Sequence, residues 1–107
     1  MSQINQIKEA LLNVDVKVFH FYALHPPERY IVWAEDGEGE SLAADNKKVG
    51  QVISGTIDFF TKNEQDTAVG KIQQVLSDAE ISYYLNSIQY EDETGYIHYE
   101  WRWEVAG

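Results

Sequence analysis

Residues 97–105 alternate strictly between apolar and polar side chains. Ile97, Tyr99, Trp101, Trp103 and Val105 fall on one face of a strand, and His98, Glu100, Arg102 and Glu104 on the other. A slip of one residue would put both tryptophans in water and bury the charges, so the register is firmly specified. Just upstream, residues 90–96 read as a tight turn with Gly95 at the position that needs positive φ, and residues 81–91 as the partner strand, so an antiparallel hairpin ends the chain. A second alternation begins at Gln51 and places Ile53, Gly55, Ile57 and Phe59 opposite Ser54, Thr56 and Asp58. Residues 16–24 are rich in β-branched and aromatic types and stop at His25-Pro26-Pro27, which denies the backbone central-strand pairing. Residues 30–35 form another strand, followed by an acidic loop at residues 36–40 and a short strand at residues 41–45.

Two stretches carry the helical period instead. Ser2 is placed to cap a helix with Ile4, Ile7, Leu11 and Val14 on one side and Lys8 and Glu9 on the wet side. Asn63 or Glu64 opens a second helix, with a stripe of Ala68, Val69, Ile72, Val75, Leu76 and Ala79 that Gly70 weakens slightly. The expected fold is α+β in the order α, β, β, β, β, α, β, β. It is a single domain over residues 1–107, a mainly antiparallel sheet with two helices packed on one face and a C-terminal β-hairpin. The other sheet face is then left unusually aromatic. Tyr22, Trp33, Phe60 and hairpin tyrosines such as Tyr90 and Tyr96 exceed what so small a core can hold. With Asp36, Glu38 and Glu40 of the acidic loop they are the candidate subunit or partner contacts.

At 107 residues and 44% hydrophobic the chain supports one core, and with no cysteine its stability rests on packing. Eighteen acidic against eight basic residues give a formal charge of −10, which opposes binding to phosphate backbones and anionic membranes. The basic residues are scattered, only Lys47 and Lys48 being adjacent. The N-terminal residues lack the basic start and apolar run of a signal peptide, and no segment is long enough to span a bilayer, so a cytoplasmic protein is expected.

Candidate chemistry is sparse. His20, His25 and His98 are not spaced as ligand pairs of one helix or turn, and the acidic loop lacks the twelve-residue calcium pattern with its closing glutamate. Asp58 and Glu100 could approach one another across a sheet, but no nucleophile accompanies them. Ser54-Gly55 is not a nucleophile elbow, and no glycine-rich segment precedes a helix. No catalytic, cofactor or metal site is therefore expected, and the chain does not read as an enzyme.

Five stretches carry a resemblance: Tyr30-Ile31-Val32-Trp33, Asp36-Gly37-Glu38-Gly39-Glu40, Ala44-Asp45-Asn46-Lys47, residues 55–62 and residues 89–101. Together they resemble the short tail proteins of prophages in Gram-positive bacteria, over nearly the whole chain after the first helix. The order of elements also resembles that of phage tail terminators and tail-to-head joining proteins. That resemblance implies a structural subunit that forms a homo-hexameric ring on the end of the tail tube. Its partners would be the tail tube protein and the head-tail connector, and its location the host cytoplasm during assembly and then the virion tail. Some of Glu35, Asp36, Glu38, Glu40, Glu91, Asp92 and Glu93 would line the channel, where like charge keeps DNA from adhering. Two other readings stay open: a head-tail connector or neck component, and a small intracellular protein-binding module.

Overall fold

The structure, a computed structural model, describes residues 4–39, 43–44, 47–48 and 52–106, with the backbone alone for 43–44 and 47–48. Helix α1 (Asn5–Leu11) continues into a single 3-10 turn (Leu12–Val14) that ends at Asp15 in the left-handed region. Strands β1 (Lys17–His20), β2 (Tyr30–Glu38), β5 (Val52–Thr61), β6 (Ser82–Glu91) and β7 (Tyr96–Ala106) form one sheet in the order β1-β2-β5-β7-β6. A separate two-stranded ribbon, β3 (Ala43–Ala44) and β4 (Lys47–Lys48), lies between β2 and β5 in the chain. Helix α2 (Ala68–Asp78) connects β5 to the terminal β6–β7 hairpin. The expected α+β class, with two helices, a mostly antiparallel sheet and a closing hairpin, is what the chain adopts. No helix among the described residues is long and apolar enough to cross a membrane.

Both helices cover the same sheet face. Ile7, Leu11 and Val14 from the first helical segment and Ile72 and Leu76 from α2 pack on Ile31, Trp33, Ile57, Phe59, Trp101 and Trp103. The β5–β7 register sets Ile57 opposite Trp101 and Gly55 opposite Trp103, as the two alternations require. Two buried indole N–H groups find partners: Trp101 Nε1 donates to Gln73 Oε1 at 3.1 Å and Trp103 Nε1 to the Thr56 carbonyl at 2.9 Å. Gly95 closes the hairpin at φ +80°, its N–H bonded to the Glu91 carbonyl at 2.8 Å.

Several boundaries differ from the sequence reading. The first strand is regular only over Lys17–His20 and runs parallel to β2, so residues 21–29 must carry the chain back to the start of β2. That return is made without a helix, with Phe21 at φ +74° and His25 at φ +55°, both unusual for residues with a side chain. The acidic stretch is loop only in part. Strand β2 continues through Glu38 because a bulge at Asp36 keeps Gly37 paired with Ser54 and Glu38 with Ile53. Helix α2 begins at Ala68, not at Asn63 or Glu64. Asn63 Oδ1 instead accepts from the Gln65 N–H, and Asp66 Oδ1 caps the helix by accepting from the Ala68 N–H at 2.9 Å. The Ser2 cap lies outside the described residues, as do Ser41, Leu42 and Asp45 of the short strand.

Candidate functional site: the open sheet face and the two sheet edges

The sheet face turned away from the helices is open, and its alternating positions come from β2, β5 and β7. Tyr30 and Phe60 sit opposite each other across β2 and β5, and Phe60 sits opposite His98 across β5 and β7. Their rings stack, with centroids 4.7 Å apart for Tyr30–Phe60 and 4.3 Å for Phe60–His98. Tyr96 meets both Tyr30 and Phe60 edge-on and donates its hydroxyl proton to the Pro27 carbonyl at 2.9 Å, which ties down the crossover loop. Lys62 Nζ lies 5.0 Å from the centre of the Tyr96 ring, within cation–π range. Residues of the same loop, Phe21, Tyr22 and Ala23, border a hollow of about 340 Å³ whose other walls are Tyr30, Val32, Asp58, Phe60 and His98.

The polar groups of this face are arranged around His98. Asp58 and Glu100 are directly opposed across β5 and β7, as their sequence positions allowed, yet neither is left to the other. His98 Nε2 is 2.7 Å from Asp58 Oδ1, and Glu100 Oε1 accepts from Asn86 Nδ2 at 3.1 Å. The bond to Asp58 raises the His98 pKa above its ordinary value against the opposing effect of burial, with Glu91 and Glu100 adding to the rise. Among the described residues no hydroxyl hydrogen-bonds to His98. At the far end of the face, Arg102 donates both terminal nitrogens to Asp36, at 2.7 and 3.1 Å, and the bulge is what brings Asp36 to it. No three histidine, aspartate or glutamate side chains among the described residues are grouped so as to hold a metal ion.

Apart from Leu12 in the 3-10 turn, the exposed large apolar residues among those described lie along the two sheet edges. Beside β1, the crossover loop exposes Phe21, Tyr22 and Leu24. Across the sheet, β6 exposes Leu85, Ile88 and Tyr90 on the helix side, opposite Trp101, Tyr99 and Ile97 of β7, and Tyr84 on the other side. Geometry explains the second patch. Strand β6 has 10 residues and α2 has 11, so at about 3.3 Å per strand residue and 1.5 Å per helix residue the helix covers about half the strand. A bulge between Leu85 and Ser87 resets the alternation, which keeps Ile88 and Tyr90 on the same side as Leu85.

The residues expected to make contacts are thus spread over four places. Tyr22, 72% exposed, is on the β1 side, Tyr90, 65% exposed, is on β6, and Phe60 and Tyr96 are half-buried in the aromatic cluster. Asp36 and Glu38 are exposed at the bulged end of β2, while Glu40 lies outside the described residues. Trp33 does not belong among them. It is a core residue only 3% exposed, with His20 stacked on its ring at 3.9 Å, because its position opposite Ile57 aims it at the helices. His98 and Asp58 were not foreseen as a pair, nor Leu85 and Ile88 as an exposed patch; alternation gave the faces, but the pairing needed the inter-strand register. What these features define is an α+β sheet domain with one aromatic, acidic open face and two unlike apolar edges. Comparison with protein-family models finds no match, and comparison with curated proteins finds no matching relative.

Proposed function

We propose that this chain is a structural subunit of a phage tail, a terminator whose copies join head to tail into a closed, hexameric ring that caps the tail tube and joins it to the head. The observation that carries this reading is the pair of unlike apolar patches on opposite edges of one sheet, Phe21, Tyr22 and Leu24 beside β1 and Leu85, Ile88 and Tyr90 on β6. Two different patches on opposite sides suit a heterologous interface, in which each copy offers one patch to each neighbour, and such an interface must close to avoid open filaments. The resemblance of residues 30–40, 44–47, 55–62 and 89–101 to prophage tail proteins supports the tail assignment. The charge of −10 suits a subunit bordering a channel through which DNA passes without adhering.

Electron microscopy of particles assembled with and without this protein tests the reading. Tails made without it are expected to vary in length or to remain unjoined to heads. Normal tail length together with full infectivity in its absence overturns the proposal.

A further inference from the structure

The hollow on the open sheet face has a chemistry that ring formation does not use. Its walls are aromatic and its one carboxylate is incompletely paired. Asp58 is 19% exposed by side chain and binds His98 through Oδ1, while among the described residues its Oδ2 accepts no hydrogen bond. Glu100 stands directly across the strands from Asp58, and Glu91 Oε2 is 3.8 Å from His98 Nδ1, so the surroundings of the hollow are anionic beyond the charge that His98 can offset. An apolar occupant would strip water from Asp58 and return nothing, which is costly for a carboxylate. A cation between aromatic rings, by contrast, gains both the carboxylate and the ring faces, and Lys62 already occupies such a position over Tyr96 at the margin of the same cluster.

We infer that the hollow bordered by Tyr22, Val32, Asp58, Phe60 and His98 is a docking site for a lysine or arginine side chain on a basic segment of a partner protein. The partner is a different protein from this one. The chain has only eight lysines and arginines against eighteen acids, and two of the eight are committed, Arg29 to Asp66 and Arg102 to Asp36, each through two hydrogen bonds. Charge complementarity with a chain of net charge −10 therefore favours a basic partner over a second copy. The inference does not need the ring reading, since Asp58, Phe60 and His98 lie on the open face; of the residues named for the site, Tyr22 alone also belongs to the β1-side patch.

Titration of the full chain with N-acetyl-arginine amide and N-acetyl-lysine amide, followed in amide NMR spectra, tests it, with N-acetyl-norleucine amide as the uncharged control. The cationic probes should give saturable shifts centred on Tyr22, Val32, Asp58, Phe60 and His98, and the control should bind at least about fivefold more weakly. Asp58→Asn should weaken the cationic probes by a similar factor. Tyr22→Ala, at a site too exposed to matter for folding, should weaken them as well and rules out a trivial folding defect as the cause. Equal shifts from the uncharged probe, shifts spread over the other acidic surfaces, or unchanged affinity in both variants overturn the inference. Self-association of the purified chain that disappears in Asp58→Asn, read by sedimentation velocity, would make a second copy the occupant and overturn the assignment to a different partner.

Discussion

Arg29 and Asp66, 37 residues apart in sequence, meet in a two-pronged ion pair: Arg29 Nε and Nη2 donate to Asp66 Oδ2 and Oδ1, each at 2.9 Å. The same carboxylate, 4% exposed, accepts the Thr61 hydroxyl at 2.7 Å and the Ala68 N–H at 2.9 Å. One side chain thus joins the end of the crossover loop, the end of β5 and the start of α2. Burial alone would raise its pKa, but Arg29, the Ala68 N–H and Thr61 together outweigh burial and lower it to about 2.

Because the folded-state pKa of Asp66 lies below its ordinary value of 3.8, its contribution to stability is fully present above that value and is lost as pH falls toward about 2. The shift corresponds to about 2 kcal/mol. Urea unfolding of Asp66→Asn at pH 7 should show a loss of about 2 to 3 kcal/mol, and the gap to the unaltered protein should narrow steadily between pH 4 and pH 2. A gap that persists at pH 2 would mean that Asp66 acts through packing and not through its charge.

His98 has the opposite sign. Its pKa is raised by the hydrogen bond to Asp58, so its stabilising contribution is complete below the unfolded value of 6.5 and is lost as pH rises through the higher folded value. The groups facing it are Asp58, Glu91, Glu100 and the Phe60 ring. NMR titration of the imidazole protons should give a midpoint above 6.5, and Asp58→Asn should bring it down. A midpoint unchanged by that substitution would remove Asp58 as the cause.

Much of this architecture is legible in the chain because the decisive patterns are local. The alternation through Trp101 and Trp103 sets the core face of β7, Gly95 sets the hairpin, and Ile7, Leu11, Ile72 and Leu76 repeat at helical spacing. Features that depend on distant pairing are not legible. Nothing within residues 16–24 says that β1 runs parallel to β2, and so nothing there turns residues 21–29 into a crossover loop above the aromatic cluster. Trp33 reads as surplus until its pairing with Ile57 is known, and the Leu85–Ser87 bulge hides a shared face behind a broken alternation. Glu80 ends α2 at φ +58° with the Ile81 N–H bonded to the Leu76 carbonyl, a helix stop usually marked by glycine and so unmarked here. At the candidate site, the residue types were visible, but the Asp58–His98 pair required the register.

Two glycines allow a matched test of packing. A Cβ on Gly55 would collide with the Ala34 carbonyl and the Trp103 ring, the first being backbone that cannot swing away, whereas a Cβ on Gly70 of α2 meets nothing within 4 Å. Gly55→Ala should therefore cost about 3 kcal/mol, and Gly70→Ala should stabilise by about 0.5 to 1 kcal/mol through helix propensity. Thermal unfolding of the two variants side by side measures both, and a neutral Gly55→Ala would contradict the close approach of β2 and β7 over β5.

The ring reading makes a demand that simple dimerisation does not. If the Tyr22 side of one copy meets the Ile88 side of the next, Tyr22→Glu and Ile88→Glu each remove one half of every interface, and each variant alone should be monomeric. Both positions are exposed, at 72% and 56%, so neither substitution should disturb folding. Mixed in equal amounts, the two variants retain one intact pair of patches, Tyr22 on the Ile88→Glu chain and Ile88 on the Tyr22→Glu chain. The mixture should form heterodimers and nothing larger, while the unaltered chain goes on to closed rings. Native mass spectrometry distinguishes these species directly. A two-fold symmetric interface built on either patch alone predicts the reverse: one variant would dimerise by itself and the other would not, and that result would remove head-to-tail closure from the account of this protein.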